Sequence, residues 1–82
     1  MATKVIIYTQ ETCPPCFAEK EWLRDLNIEF EERDIRKNQE FMQEVMALGA
    51  SATPVTVITD EYNKEHVIMG FKEEELESLL KK

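Results

Sequence analysis

The segment KVIIYTQETCPPC, residues 4–16, decides the fold and contains both cysteines of the chain. It begins with a short apolar run rich in β-branched residues, which predicts a buried strand over residues 4–9. Two consecutive prolines then suit the first turn of a helix, where backbone N–H groups lack partners in any case. The segment therefore predicts a strand, a short loop and a helix that begins between the two cysteines.

Cys13 and Cys16 stand at the predicted start of this helix, one turn apart. Unpaired N–H groups and the positive end of the helix dipole favour a thiolate over a thiol at Cys13. The second thiol lies close enough to close a disulfide with the first. We expect Cys13 to attack a substrate disulfide and Cys16 to resolve the mixed disulfide, which leaves the pair oxidised.

Length and composition indicate a single globular domain over residues 1–82, with 43% apolar and 33% charged residues. The net charge of -7 and the lack of a Lys/Arg cluster argue against nucleic-acid binding. The longest apolar run, residues 5–8, is far too short to span a membrane. The N-terminus lacks the long apolar stretch of a secretory signal. We expect a cytoplasmic monomer with no nucleic-acid or membrane partner.

The remaining sequence predicts three further strands and two further helices. The first helix continues to about residue 27, where Asn27 can supply a left-handed cap. The second strand carries charges typical of a sheet edge. The predicted elements after the first helix are strand 28–35, a helix capped by Asn38 and ended by Gly49, strands 55–59 and 66–69, and a helix over about 72–82. The order β-α-β-α-β-β-α predicts an α/β fold with one mixed four-stranded sheet flanked by three helices.

Apolar spacing predicts the buried faces of the helices. We interpret the large apolar side chains of the first two helices as core rather than ligand contacts. His66 is expected to be a strand residue with a hydrogen-bonded ring nitrogen. The predicted rows are Ala18, Trp22 and Leu26 with Leu23 in the first helix, and Phe41, Val45 and Leu48 with Met42 and Met46 in the second.

The motifs, taken in order, resemble the thioredoxin superfamily and, at this chain length, its glutaredoxin-like members. They are Tyr8-Thr9 before the cysteine pair, FEERDI at 30–35, Thr53-Pro54-Val55 and Gly70-Phe71. The resemblance covers nearly the whole chain. It implies a thioredoxin-like (glutaredoxin) fold and a thiol–disulfide oxidoreductase. It also implies a cis bond before Pro54, which would present the Thr53 backbone to an extended substrate.

The same resemblance implies a set of substrate-binding residues around the cysteines. Pro54 could instead be an ordinary strand start. Gly70 and Phe71 could simply cap the last helix, because three glutamates follow them and oppose an anionic ligand. The implied set is Thr12, Pro14, Pro15, Thr53, Pro54, Gly70 and Phe71.

Two positions bear on the electron donor. Glutathione-using glutaredoxins usually carry a Lys shortly before the cysteine pair and a Gly-Gly followed by Ser or Asp before the last helix. Here Gln10 stands near the first position, and Gly70-Phe71-Lys72 replaces the second motif. That pattern is similar to NrdH-type redoxins, which a thioredoxin-reductase-type flavoprotein typically reduces. We expect such a flavoprotein as donor and disulfide-containing proteins as substrates, with glutathione as the alternative reductant.

A metal or iron–sulfur site is the alternative from a different class. A zinc site needs four ligands, whereas the chain offers two cysteines and one remote histidine, His66. A second subunit would have to supply the rest. We therefore expect no bound metal and no bound cofactor. A redox-inert interaction domain is a third possibility, which the intact cysteine pair opposes.

Overall fold

The computed structural model describes residues 3–50 and 52–80, which follow the predicted order β-α-β-α-β-β-α. The first and third strands have the predicted bounds, whereas the second is shorter. The end predicted for the last helix, at residues 81–82, lies outside the described residues. The elements are β1 (Lys4–Thr9), α1 (Pro14–Asp25), β2 (Glu31–Asp34), α2 (Gln39–Ala47), β3 (Val55–Thr59), β4 (Glu65–Met69) and α3 (Glu73–Leu80).

Hydrogen bonds at the end of α1 explain the late start of β2. Asn27 has φ +58, which confirms the predicted left-handed cap. The N–H groups of Asn27 and Ile28 donate to the carbonyls of Arg24 and Leu23, at 3.0 and 2.9 Å. This arrangement is a Schellman motif, and it commits Ile28 to the helix end rather than to the sheet.

The four strands lie in the order β2-β1-β3-β4, with β2 at an edge as its charges predict. β1 pairs parallel with β2 and antiparallel with β3, and β3 and β4 form an antiparallel hairpin. Tyr8 near the end of β1 stands opposite Val55 at the start of β3. The loop after β1 and the turn before β3 therefore meet at one end of the sheet.

Helices cover both faces of the sheet, as predicted. Toward α2, the buried cluster includes Tyr8, Val45 and Val57. Toward α1 and α3, the buried cluster includes Ile58 and Leu76, with Trp22 and Phe71 packed against it. The mixed four-stranded sheet with three flanking helices confirms the α/β, thioredoxin-like fold.

α1 turns a different face to the sheet than its apolar row predicts. Ala18, the first residue of that row, is exposed, and Trp22 is only half-buried. The helix turns Glu19 toward the sheet instead. The hydroxyl of Thr56 in β3 donates a hydrogen bond to the Glu19 carboxylate and so stabilises this side chain in the interior. The buried residues of α1 are Cys16, Glu19 and Leu23.

The predicted core role of Met42 and Met46 is wrong, since Met42 is exposed and Met46 is 65% exposed. α2 is only nine residues long and buries the row that contains Val45. The two methionines lie to one side of that row and line an open cleft instead.

The expected hydrogen bond of the His66 ring is confirmed, because its Nε2 lies 3.0 Å from Asp60 Oδ2.

Candidate active site

Cys13 and Cys16 form a disulfide at the N-terminus of α1, with their Cα atoms 5.2 Å apart. Cys13 is the N-cap residue, and its Sγ accepts a hydrogen bond from the backbone N–H of Cys16 at 3.2 Å. Cys13 is half-exposed, whereas Cys16 is only 1% exposed. An N–H donor and a helix terminus at Cys13 are the features that stabilise a thiolate in the reduced pair.

Pro14 and Pro15 occupy the first two helical positions, both exposed, and the exposed Thr12 precedes the cap. Prolines fit here because these positions need no N–H donor and already have helical φ. The sequence therefore starts the helix immediately after Cys13. This places the first sulfur at the surface and turns the second into the interior.

Thr53 approaches Cys13 from the other side of the site. The Thr53-Pro54 peptide bond is cis, as expected. Thr53 Oγ1 donates a hydrogen bond to Cys13 Sγ at 3.5 Å and accepts one from Gln10 Nε2 at 3.1 Å. Sequence reasoning considered Gln10 only as a departure from a family motif and missed its contact with Thr53. The three side chains form a hydrogen-bonded chain that ends at the sulfur.

Gly70 lies close to Thr53, whereas the ring of Phe71 packs away from the cysteines, against Trp22. The N–H of Gly70 donates to the Pro54 carbonyl at 2.8 Å, and Gly70 lines a small cleft with Thr53. Its φ of +86 is a left-handed conformation that favours glycine. The Phe71 ring instead meets Trp22 edge-on, with centroids 6.0 Å apart. Its part in substrate binding stays a prediction.

A cleft of about 270 Å³ beside the cysteines brings two lysines to the site, Lys20 and Lys37. No basic residue adjoins Cys13 in sequence, so sequence reasoning missed both. Lys20 Nζ bonds to Glu32 at 2.8 Å. Partial burial raises the pKa of Glu32, but hydrogen bonds from Lys20 and Thr9 outweigh burial and leave that pKa below its usual value. Glu32 thus offsets the charge of one of the two lysines.

Glu19 is a fully buried carboxyl group one turn beyond Cys16, and sequence reasoning also missed it. Burial raises the pKa of Glu19 to about 7, although the hydrogen bond from Thr56 opposes part of that increase. The sequence signal for Glu19 is its position three residues after Cys16. That spacing places both side chains on one face of the helix, so an inward Cys16 implies an inward Glu19.

Exposed apolar side chains lie beside Cys13 and in a neighbouring cleft. Phe17, on the first turn of α1, is 63% exposed and lines an open cleft with Cys13 and Pro14. Met42 and Met46 line another cleft, of about 510 Å³, and Gln10 lines both this cleft and the one that contains the cysteines. Exposed apolar side chains grouped around a reactive atom suit contact with another protein.

Among residues 3–50 and 52–80, no three His, Cys, Asp or Glu side chains form a group that could hold a metal ion. No helix within the same residues is long and apolar enough to cross a membrane.

Comparisons with known proteins agree with this geometry. The family model for glutaredoxin matches residues 5–63. Gene 56 protein of Mycobacterium phage D29 is 32% identical, across 98% of this chain and 86% of that protein. The glutaredoxin-like protein NrdH of Lactococcus lactis subsp. lactis (strain IL1403) is also 32% identical, across 92% of this chain and 97% of that protein.

A solved structure supports the same relationship. The thioredoxin-like protein BC3987 superposes with a TM-score of 0.82 and 36% identity, which covers 94% of this chain and all of that one. Glutaredoxin-like proteins generally act without a bound cofactor. The fold, the Cys13–Cys16 pair and these relatives together show that the chain belongs to the glutaredoxin family, as an NrdH-type thiol–disulfide oxidoreductase of the thioredoxin superfamily.

Proposed function

We propose that this protein carries two electrons from a flavoprotein reductase to protein disulfides, with Cys13 as nucleophile and Cys16 as resolving thiol. The observation that carries the proposal is the difference between the two sulfurs. Cys13 is half-exposed at a helix terminus with two hydrogen-bond donors on its sulfur, while Cys16 is 1% exposed. A substrate can therefore approach the first sulfur and not the second.

Each turnover exchanges one disulfide for another. The Cys13 thiolate attacks a substrate sulfur, forms a mixed disulfide and releases the first substrate thiolate. The Cys16 thiol loses its proton and attacks Cys13 Sγ, and the second substrate thiolate leaves with the electron pair of the broken bond. The substrate gains two electrons, and the Cys13–Cys16 disulfide is the oxidised product.

The substrate is bound as an extended segment beside Cys13. We assign its binding to Thr53 and Pro54 with Gly70, because Thr53 bonds to the sulfur and Gly70 bonds to Pro54. We also assign Thr12, Pro14 and Pro15 to the border of the site next to Cys13, and we assign Phe71, whose ring packs against Trp22, a supporting role next to Gly70. The exposed Phe17 ring offers an apolar contact to a protein substrate.

A thioredoxin-reductase-type flavoprotein is the donor we propose. Gln10 replaces the lysine of glutathione-using relatives, and its amide is occupied by Thr53. Glu73, Glu74 and Glu75 occupy the first turn of α3, where they repel an anionic ligand. The NrdH relative supports the same assignment.

We also propose that the protein acts in the cytoplasm, as a monomer. A dithiol donor has to be kept reduced, and the cytoplasm keeps thiols in that state.

Glutathione is the second candidate donor. Lys20 and Lys37 line the cleft beside Cys13, and ammonium groups there would attract the carboxylates of glutathione. Glu11 and Asp34 line the same cleft and oppose that attraction. Lys20 is already bound to Glu32, which weakens this attraction.

A coupled assay distinguishes the two donors. Oxidation of NADPH is followed with insulin as the disulfide substrate, in one arm with thioredoxin reductase and in the other with glutathione and glutathione reductase. We expect turnover in the first arm and little in the second. Turnover confined to the glutathione arm would reverse the assignment. Cys13→Ser is the control that abolishes turnover in either arm, and Gln10→Lys is expected to increase it in the glutathione arm only.

A further inference from the structure

Glu19 presents an unexplained carboxyl group in the interior of the molecule. Its side chain is 0% exposed. One oxygen, Oε2, accepts a hydrogen bond from the Thr56 hydroxyl. Among residues 3–50 and 52–80, the other oxygen, Oε1, is the only buried side-chain N or O atom without a hydrogen-bond partner. A buried polar atom without a partner costs stability, which favours a functional role for Glu19.

We propose that Glu19 accepts the proton that Cys16 loses when it resolves the mixed disulfide, an inference that rests on the roles proposed above for the two cysteines.

The position of Glu19 on α1 fits this role. Cys16 and Glu19 are three residues apart on one helix face and both are buried. That spacing brings two Cβ atoms to about 5–6 Å, within reach of a glutamate side chain. Cys16 is 1% exposed, so water and buffer have little access to its proton. Glu19 therefore supplies the acceptor that solvent supplies to an exposed thiol.

Within the described part of the chain, Thr56 is the one side chain that bonds to Glu19, and no charged group contributes to its pKa shift. Thr56 of β3 donates to Glu19, and its cross-strand neighbours, Ile7 and Ile68, are apolar. Two charged side chains of the adjoining elements are paired elsewhere: Lys20 of α1 with Glu32 of β2, and His66 of β4 with Asp60. From α3, Leu76 is buried and the glutamates beside it are exposed.

The titration of Glu19 suits a reversible proton transfer. Burial is the main reason that its pKa rises to about 7. At neutral pH both protonation states are then populated, which is the condition under which a general base is most effective. A carboxyl group with the ordinary value of 4.5 would be a weaker proton acceptor.

Resolution breaks the Cys16 S–H bond and the mixed S–S bond, and it forms an O–H bond on Glu19 and the Cys13–Cys16 disulfide. The Cys16 S–H bond breaks and its proton moves to the Glu19 carboxylate. The Cys16 sulfur forms a bond to Cys13 Sγ, and the bond from Cys13 to the substrate sulfur breaks, with its electron pair on the departing thiolate. The protonated Glu19 then returns its proton to that thiolate or to solvent.

Single-turnover kinetics with dithiobis(2-nitrobenzoate) test the proposal. The reduced protein releases one thionitrobenzoate when Cys13 attacks, at a rate proportional to reagent concentration. It releases a second when Cys16 resolves, at a rate independent of that concentration. In the parent protein we expect the second rate to rise to a plateau with a midpoint near pH 7.

Glu19→Gln is the diagnostic variant. We expect it to slow the second phase by about tenfold or more and to abolish the midpoint, while the first phase changes little. Glu21→Gln, an exposed glutamate on the same helix, is the matched control and should leave both phases unchanged. An unchanged second phase in Glu19→Gln, or equal slowing of both phases, overturns the proposal. A first phase that persists at the parent rate in Cys13→Ser would instead refute the role of Cys13.

Thr56→Val provides a second, independent reading if Glu19→Gln does not fold. It removes the hydrogen bond that lowers the Glu19 pKa and keeps the carboxyl group. We expect the midpoint of the second phase to move to higher pH with the plateau retained. A midpoint that stays in place contradicts the proposal.

Discussion

The hydroxyl of Thr53 lies 3.5 Å from the sulfur of Cys13, across a sequence separation of 40 residues. The contact exists because β1 and β3 are antiparallel neighbours, so that the end of one strand adjoins the start of the other. In the reduced protein, the Cys13 sulfur is negatively charged as a thiolate and neutral as a thiol. A hydroxyl donor therefore stabilises the thiolate more than the thiol. We therefore expect Thr53 to increase the reactivity of Cys13.

Replacing Thr53 with Val should make the reduced protein less reactive. The variant keeps the side-chain shape and loses the donor, so less Cys13 is ionised at a given pH. We expect the rate of Cys13 alkylation by iodoacetamide below neutral pH to fall by about three- to tenfold, the effect of one hydrogen bond. Thr59→Val, at the far end of β3, is the matched control. Equal alkylation rates in the parent protein and Thr53→Val would refute the role of this hydroxyl.

Glu19 should make stability depend on pH. Its pKa is about 7 in the folded protein and 4.5 ordinarily, so the folded state holds the proton more tightly. Its contribution to stability is fully present below about pH 4.5 and is lost as the pH rises through about 7. The shift corresponds to about 3 kcal/mol of unfolding free energy.

Glu19→Gln removes this dependence. Compared with the parent protein, the variant should gain relative stability as the pH rises between those two values, by about 3 kcal/mol at most. Urea unfolding of the oxidised proteins at several pH values measures the difference, with Glu21→Gln as the control. A constant difference across this range would show that Glu19 titrates normally.

Asp60 should stabilise the hairpin between β3 and β4 in its ionised form. Its Oδ1 accepts from the N–H groups of Tyr62 and Lys64, at 2.9 and 3.0 Å, and Oδ2 meets His66. The bond to His66 is the main reason that the pKa of Asp60 falls to about 2, and the two backbone bonds add to it. The contribution of Asp60 to the free energy of unfolding is fully present above pH 3.8, its ordinary pKa, and is lost as the pH falls through about 2.

The comparison with Asp60→Asn isolates the charge, because an amide oxygen can still accept from the turn. We expect the urea midpoint of Asp60→Asn to lie below that of the parent protein at neutral pH and to approach it in strong acid. Glu61→Gln, an exposed neighbour, should match the parent throughout. A midpoint difference that persists in strong acid would argue against ionisation of Asp60 as its cause.

Glu44 should perturb the ionisation of Tyr8. Burial is the first reason that the pKa of Tyr8 is raised above 10.0, and its hydrogen bond to Glu44 at 2.8 Å is the second. Arg33, which bonds to both groups, opposes the increase. In a Tyr62→Phe background, ultraviolet titration follows Tyr8 alone. Glu44→Gln should lower the pKa of Tyr8, whereas an equal or higher pKa would contradict the assigned contacts.

The sequence was sufficient to predict the elements whose signals are local. β1 is an apolar β-branched run, α1 begins at consecutive prolines, and Asn27 and Gly49 end helices at positions with positive φ. These choices depend on neighbours within a few residues. The cysteine pair could be predicted for the same reason, because the spacing of the cysteines and the start of the helix both lie within one short segment.

Features that depend on packing between distant elements could not be predicted in this way. The buried Glu19 depends on a hydroxyl from β3, and apolar periodicity excludes a glutamate from the core by rule. Lys37 reaches the cleft of Cys13 only through the placement of β2 and α2. The exposed Met46 shows the opposite error, since its spacing is that of a core residue while the short α2 buries a neighbouring row.

The proposed function requires that Cys13 bonds to the substrate and that Cys16 releases it. Mass spectrometry of the mixed disulfide formed with insulin, in Cys16→Ser and in Cys13→Ser, tests it most directly. We expect Cys16→Ser to accumulate a stable adduct at Cys13 and Cys13→Ser to form almost none in the same time. Rapid adduct formation at Cys16 in Cys13→Ser would contradict it.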